Sequence, residues 1–371
     1  MSSERPLLIT MGDPAGIGPE IIVKAFAARD LPGTVVVGDA GVLQTAATRL
    51  AQQGHPAVEV VSAPSLEEAV RLSPAAKPMK KPVSYTVAKG QPEKRMVVWQ
   101  AMPPLPEIPM GQVSALAGQA SVVAVERAAE AALAGLAQGL VTAPIHKQAW
   151  HAAGVKFPGH TELLQSLSAS HLGCALADVP VRMMLASPRL RVVLATIHLA
   201  LKDAIQAIEP DLLLQTLRIA HADLSRELGR APRLAVAGLN PHAGEGGQMG
   251  REEIDIIAPA IKVSQAEGLQ VSGPLPSDTV FLQALDPDQH PDRFDAVVVM
   301  YHDQGLIPIK LLNFDEGVNV TLGLPLRRSS PDHGTAFDIA GTGLARPDSL
   351  LAAIAHLALA QSDTILGLTR S

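Results

Sequence analysis

Residues 7–28, LLITMGDPAGIGPEIIVKAFAA, decide the fold class. Leu7–Met11 is an apolar run too short for a helix and reads as a buried strand. The turn Gly12-Asp13-Pro14-Ala15-Gly16-Ile17-Gly18 follows, and Pro19 and Glu20 suit the first turn of a helix through Ile21–Ala28. The alternation then repeats, with Thr34–Val37 a second strand, Gly38-Asp39-Ala40 opening a helix toward Gln52, and Val58–Val61 a third strand. Strand–turn–helix units in series predict an α/β chain on a mainly parallel sheet. The Gly12–Gly18 turn is not G-x-G-x-x-G and lacks the lysine of a phosphate loop, and Asp13-Pro14 is accounted for by turn chemistry.

Between Ser73 and Gly111 the alternation breaks. Eight prolines fall from Pro74 to Pro109, interleaved with Lys77, Lys80, Lys81, Lys89, Lys94 and Arg95. An extended, solvated excursion is expected there, with one hairpin strand near Met96–Trp99. Regular order resumes with an alanine-rich helix over 118–134 and a strand at Gly139–Thr142, which runs into Ala143-Pro144-Ile145-His146-Lys147. Helices and strands alternate from there to Val299, and a last helix is expected over 349–361.

The chain has 371 residues, 47% hydrophobic and 18% charged, which suits one or two well-packed α/β domains and excludes disorder. Aromatic residues make up 3% and the net charge is −6, so neither base stacking nor a basic surface supports a nucleic-acid partner. The single cysteine, Cys174, excludes an intrachain disulfide and a cysteine-based zinc cluster. In SHLGCALADVP it reads as a small core residue. The start MSSERPLLITMGD has no signal-peptide pattern, and no stretch approaches ~18 uninterrupted apolar residues. A cytoplasmic protein with no membrane partner is expected.

Three histidines close separate apolar runs: His198 in RVVLATIHLAL, His242 in RLAVAGLNPHAGEGG and His302 in FDAVVVMYHDQG. Each run reads as a buried strand, and the carboxyl ends of parallel strands are where α/β proteins bind ligands. Three neutral imidazoles there form a candidate open site for a divalent cation, which acts as a Lewis acid. Three unrelated surface or hydrogen-bonded histidines are the plain alternative.

SPDHGTAFDIAGTG, residues 330–343, resembles the adenosine-binding loop of the isocitrate/isopropylmalate dehydrogenase family, whose pattern is H-G-S-A-x-D-I-A-G-x-G. The N-terminal G-D-x-x-G-I-G-P-E resembles the same family's G-D-G-I-G-P-E. The resemblance implies a cofactor site at His333, Gly334 and Asp338, with Asp338 on the adenosine ribose. An acid there favours NAD, because it repels a 2′-phosphate.

A closer resemblance spans nearly the whole chain. MGDPAGIGPE, TAPIHK, GHTELL, ATIHL, PHAGEGG, GPLPSDT, YHDQGLIPIK, GVNVTLGLP and DHGTA together resemble the 4-hydroxythreonine-4-phosphate dehydrogenase family of vitamin B6 synthesis. The resemblance puts the metal ligands on His198, His242 and His302, and substrate contacts on His160, Thr161, Lys310, Asn319 and Arg328. These types suit a small polyanion: Arg328 is a planar fork, Lys310 a mobile ammonium, and the other three add hydrogen bonds. Thr161 as a helix N-cap, Asn319 serving only the backbone, and Arg328 solvated beside Arg327 are the alternatives for single residues. Asp278 and Lys310 are both candidates for the base that takes the substrate's hydroxyl proton.

By that resemblance the expected fold is two α/β/α domains flanking a cleft, isopropylmalate dehydrogenase-like. A cofactor-binding domain would combine 1–140 with 306–371, and 141–305 would be a metal, substrate and dimerisation domain. A homodimer with a shared active site is implied, with His302 contributed across the interface. The expected reaction is NAD- and metal-dependent oxidation of 4-phosphohydroxy-L-threonine to the 3-oxo acid, which decarboxylates to 3-amino-2-oxopropyl phosphate. Zinc suits three imidazoles; cobalt, manganese, nickel or magnesium are alternatives. The basic segment 73–111 leaves open a relative acting on D-threonate or D-erythronate 4-phosphate, or on a cis-dihydrodiol dicarboxylate. A metal-dependent hydrolase and a non-catalytic metabolite-binding protein are further readings.

Overall fold

The computed structural model describes residues 5–73, 94–290, 292–313 and 315–359. In chain order the first elements are β1 (Leu7–Thr10), α1 (Gly18–Ala28), β2 (Thr34–Gly38), α2 (Ala40–Gln52), β3 (Val58–Ala63), α3 (Leu66–Leu72), β4 (Lys94–Gln100), α4 (Ala115–Leu133), β5 (Gly139–Thr142), α5 (Lys147–Ala152) and α6 (His160–Leu172). Next come β6 (Arg182–Ala186), β7 (Arg191–Leu194), α7 (Leu201–Ala207), α8 (Pro210–Leu228), β8 (Arg233–Ala237), α9 (Ala258–Ala266), β9 (Gln270–Leu275), β10 (Ala296–Val299), α10 (His302–Leu312) and β11 (Val318–Leu322). The last elements among the described residues are β12 (Arg328–Pro331) and α11 (Asp348–Leu359).

Contacts divide the chain into two compact units, both α/β. One combines residues through Val179 with Leu324–Leu359, and the other covers Pro180–Gly323. These boundaries fall later at both junctions than the expected 140/141 and 305/306. The first shift has a packing cause. Both α5 and α6 pack on α4, so they stay with the unit that contains α4.

In the first unit the strand order is β3-β4-β2-β1-β5-β12. Every adjacent pair is parallel. The central strands β1 and β2 are buried on both faces and read as near-continuous aliphatic runs, as covered parallel strands do: Leu7 to Thr10 and Thr34 to Gly38 are buried throughout. The expected hairpin near Met96–Trp99 is instead a longer, parallel strand between β2 and β3. Its Met96, Val97 and Val98 are core residues. The proline-rich stretch 74–93 lies outside the described residues.

Strand order reverses at β1. From β1 the chain passes to β2 on one side, and later returns to place β5 on the other. Loops leaving neighbouring strands toward opposite sides open a crevice at the carboxyl ends, where open α/β sheets bind ligands. Gly12 seals the base of this crevice. Its φ is +73°, and a Cβ there would sit 2.5 Å from the Pro144 carbonyl, so only glycine lets the turn after β1 approach the turn after β5.

The second unit orders its strands β11-β6-β7-β10-β8-β9. The pairs β11/β6 and β6/β7 are antiparallel, while β7/β10, β10/β8 and β8/β9 are parallel. Its core gathers Val192, Leu194, Ala235, Val297, Val299, Leu306 and Ile309. α10 reaches β7 because position 305 is glycine; a Cβ there would be 2.4 Å from Val192 Cγ1.

Candidate active site

Polar side chains collect at the carboxyl ends of β1 and β5 in the first unit, and the side chain of Arg328 reaches the end of β5 from the start of β12. Arg328 opens β12 and is buried, whereas Arg327 is half-buried and bonds the Leu357 carbonyl, so strand alternation selects Arg328 as the inward arginine. Its Nε and Nη2 donate to Thr142 Oγ1 at 3.1 and 2.7 Å. Burial lowers its pKa to about 10, with the Glu162 carboxylate acting in the opposite direction.

His160 and Thr161 are the first two residues of α6, and Gly159 is the N-cap, so Thr161 does not cap the helix. Burial, and then the charge of Arg328, hold the His160 imidazole well below its ordinary pKa. It is therefore neutral near pH 7. Its Nε2 is buried without a partner, and its ring meets Trp150 edge-on at 5.6 Å. Trp150 is itself fixed by a 2.7 Å hydrogen bond from Nε1 to Ser121 Oγ. A buried guanidinium, an unsatisfied imidazole nitrogen and a helix N-terminus are groups with the chemistry to hold an anion.

The glycine-rich loop of residues 333–343 is tied to α1. Glu20 accepts from the backbone N–H groups of Gly341 and Ala345 at 3.1 and 3.0 Å. Lys24 donates to the carbonyls of Gly343 and Ala345 at 2.5 and 2.6 Å. Ile17 N donates to the Thr335 carbonyl at 3.0 Å. The two motifs from opposite ends of the chain thus form one structure. His333, Gly334 and Asp338 are all exposed on it, and a Cβ on Gly334 would meet open space. A cavity of about 380 Å³ adjoins it, walled by Glu20, Val42, Thr45, Arg49, Met110 and Gly341. Exposed acid, open glycine and adjoining cavity are compatible with a nucleotide cofactor.

Asp13 and His146 flank the crevice, and the sequence reading gave neither a role. Asp13 is fully buried; Oδ1 accepts from Ala15 N at 2.8 Å, and Oδ2 has no partner. Burial raises its pKa, while the Ala15 N–H and His146 oppose the rise. His146 precedes α5 and stacks on Phe337 of the loop, with ring centroids 4.4 Å apart and planes at 17°. Its Nδ1 is buried and unpartnered. The signal that could have found them is position: each follows a strand flanking the switch in strand order.

In the second unit the three histidines follow β7, β10 and β8, which are adjacent parallel strands. The structure brings two of them together: the rings of His198 and His302 lie 5.7 Å apart, tilted at 42°. His302 Nδ1 is hydrogen-bonded to Asp303 Oδ1 at 2.7 Å, which leaves Nε2 for a cation. Two rings at this separation fit a shared divalent ion. Among the described residues no three His, Cys, Asp or Glu side chains are grouped to hold a metal, so His242 does not join the pair within its own chain.

His242 is exposed at the start of a turn in which residues 242–246 all have φ between 44° and 81°. Left-handed backbone at His242, Ala243 and Glu245 is costly and needs anchoring. Glu253 supplies the anchor: its Oε1 accepts from Leu239 N and Asn240 N, both at 2.7 Å, and its Oε2 from Asn240 Nδ2 at 2.9 Å.

Asp278 is exposed in the turn after β9, Lys310 lies in the last turn of α10, and Asn319 is half-buried on β11. Gln304 organises this end of the unit. It accepts from Met300 N at 2.7 Å and donates to the Gly238 carbonyl and Ser277 Oγ at 2.6 and 2.9 Å, joining the turns that carry His302, His242 and Asp278. Cys174 is exposed rather than in the core, because it follows the helix-ending Gly173 in left-handed conformation. Among the described residues no helix is long and apolar enough to cross a membrane.

Parallel strands with buried polar and imidazole groups at their carboxyl ends define an α/β metabolite-binding enzyme. The family model described as "Pyridoxal phosphate biosynthetic protein PdxA" matches residues 30–357, and the chain belongs to that family. The 4-hydroxythreonine-4-phosphate dehydrogenase of Beijerinckia indica is 46% identical over 350 residues, 94% of this chain and 92% of that protein. The solved structure of the Klebsiella pneumoniae 4-hydroxythreonine-4-phosphate dehydrogenase is 38% identical with a TM-score of 0.79, covering 96% and 100% of the two chains. That of a terephthalate 1,2-cis-dihydrodiol dehydrogenase from Burkholderia xenovorans is 31% identical with a TM-score of 0.62, covering 96% and 98%.

Proposed function

We propose that the chain is a cytoplasmic, NAD- and divalent-metal-dependent dehydrogenase that oxidises 4-phosphohydroxy-L-threonine. The product is the 3-oxo acid, which loses carbon dioxide to give 3-amino-2-oxopropyl phosphate, in pyridoxal phosphate synthesis. The observation that carries this reading is the anion site, where the buried Arg328 fork, the unpartnered His160 Nε2 and the N-terminus of α6 suit a phosphate dianion. Thr161 adds a hydroxyl to the same end. In this reading Lys310 and Asn319 contact the substrate as well.

His198 and His302 supply two of the metal's ligands. The third comes from His242 of a second copy of the chain, which makes the enzyme a homodimer with a shared active site. In this reading His302 stays with His198, beside which it lies in its own chain, and the ligand from the second copy is His242. A cation held by these residues would supply Lewis acidity, lowering the pKa of the substrate's hydroxyl and stabilising the negative charge that develops there. Zinc is the first candidate. Asp278 or Lys310 takes the hydroxyl proton. Asp338, His333 and Gly334 would hold NAD, which would supply the hydride acceptor for the carbinol carbon.

The similarity to a dihydrodiol dehydrogenase supports a second reading, a dicarboxylate substrate bound by the same arginine. Formation of NADH by metal-loaded enzyme distinguishes them, with 4-phosphohydroxy-L-threonine, D-threonate 4-phosphate, D-erythronate 4-phosphate and a cis-dihydrodiol dicarboxylate as substrates. Turnover of 4-phosphohydroxy-L-threonine, with competitive inhibition by millimolar phosphate, is expected. Turnover of the dicarboxylate alone overturns the proposal.

A further inference from the structure

The crevice between the turns after β1 and β5 contains two orphaned groups of opposite hydrogen-bonding character. Asp13 Oδ2 is an acceptor, and His146 Nδ1 becomes a donor when it carries the ring proton; both are buried and neither has a partner. They are not bonded to one another, yet are near enough for His146 to influence the Asp13 carboxyl. Leaving two such groups unsatisfied is costly, and the cost is recovered when a ligand's donor and acceptor reach them.

The chemistry of the pair selects the ligand. A carboxylate repels phosphate, so this is not a second anion site; Arg328 and His160 already provide that one at the neighbouring strand ends. Three relationships fix the surroundings of the pair. Asp13 N donates to the Pro144 carbonyl at 2.9 Å, closing the β1 turn onto the β5 turn. His146 is stacked on Phe337, one residue before the Asp338 proposed to bind the cofactor ribose. Thr10 pairs in register with Thr142, the residue beneath Arg328, so the crevice and the anion site share one end of the sheet.

We infer that Asp13 and His146 form the subsite for the carboxamide of the cofactor's nicotinamide, Asp13 Oδ2 accepting from its NH2 and His146 Nδ1–H donating to its carbonyl oxygen. This rests on the NAD reading above. It would fix which way the ring is turned and so which face meets the substrate held by Arg328. Asp13 and His146 are positioning residues for the cofactor; neither transfers a proton in the reaction.

The test is equilibrium binding by calorimetry, independent of turnover, with NAD+, ADP-ribose and the 3-acetylpyridine analogue of NAD+ as probes. ADP-ribose lacks the nicotinamide, and the analogue keeps the carbonyl but lacks the NH2. His146→Phe keeps a ring against Phe337 and removes the donor, whereas Asp13→Asn puts a donor where an acceptor is required. Each is expected to weaken NAD+ about tenfold, the scale of one hydrogen bond in a buried site, while ADP-ribose binding stays within about twofold. Wild type should bind the analogue more weakly than NAD+, and Asp13→Asn should erase that difference. ADP-ribose binding also verifies that each variant is folded. Equal losses for NAD+ and ADP-ribose, or no loss for either, overturn the inference and leave the NAD reading standing. A wild-type chain that binds neither nucleotide overturns both.

Discussion

Arg328 presents two nitrogens to one oxygen, the hydroxyl of Thr142, so its guanidinium plane is set by the last residue of the neighbouring strand. That orientation matters because a planar fork recognises a dianion only when it is aimed. Charge-assisted hydrogen bonds of this kind contribute about 1.5–3 kcal/mol each. Arg328→Ala should therefore raise KM for the phosphorylated substrate by roughly tenfold to a hundredfold, and Arg328→Lys by less. Metal content should stay at the wild-type level. Steady-state kinetics with parallel metal analysis checks both, and an unchanged KM would move the anion site elsewhere.

The pairing of His198 with His302, and the separation of His242 from them, leads to a complementation experiment. His198→Ala and His242→Ala should each lose bound metal and nearly all turnover. Mixed in one preparation and allowed to exchange subunits, the two should regain both, because a hybrid dimer contains one intact set of ligands. Asp303→Asn should reduce metal affinity by roughly tenfold to a hundredfold, since it loosens the His302 ring. Full metal content in His242→Ala would remove that residue from the set.

Cofactor choice is tested at Asp338. Its exposed carboxylate repels a 2′-phosphate, so Asp338→Ala should weaken NAD and narrow the gap to NADP. Titration of both cofactors measures the ratio. Unchanged discrimination would place the ribose against another group.

His160 gives the fold a pH signature. Its folded pKa lies well below the ordinary 6.5, so below pH 6.5 the unfolded chain binds a proton that the folded chain resists. Stability therefore falls as pH drops from 6.5 toward the folded pKa, and this contribution is flat above that range. His160→Gln, which cannot titrate, should show a shallower decline in Tm between pH 7 and 5 than the wild type. Parallel profiles would mean the imidazole protonates as easily folded as unfolded.

The parallel α/β pattern was legible because buried strands leave unbroken aliphatic runs, as at Leu7–Thr10 and Thr34–Gly38. β4 was misread because prolines precede it, and its parallel pairing depends on β2 and β3 far away in sequence. The position of the histidines after strands was legible for the same reason as the strands. The path of the chain at His242 was not, since its left-handed turn is held by Glu253, on another element. Asp13 looked like turn chemistry, and it does cap Ala15; its second oxygen becomes informative only once His146 is seen across the crevice. The choice of Arg328 over Arg327 needed the family motif, and strand alternation now gives it a physical basis.

Discontinuity of the first unit has a bearing on how the chain is made. β12 and the loop that Glu20 and Lys24 clamp leave the ribosome only after the whole second unit. Through that interval β5 is an open sheet edge, its hydrogen-bonding groups waiting for a strand not yet translated. Unpaired edges recruit other chains, so the nascent protein carries an aggregation-prone edge until late in synthesis. Arrival of residues 328–345 then closes the edge and fastens the loop in one event, so the glycine-rich loop takes its clamped form only when the sheet beneath it is complete.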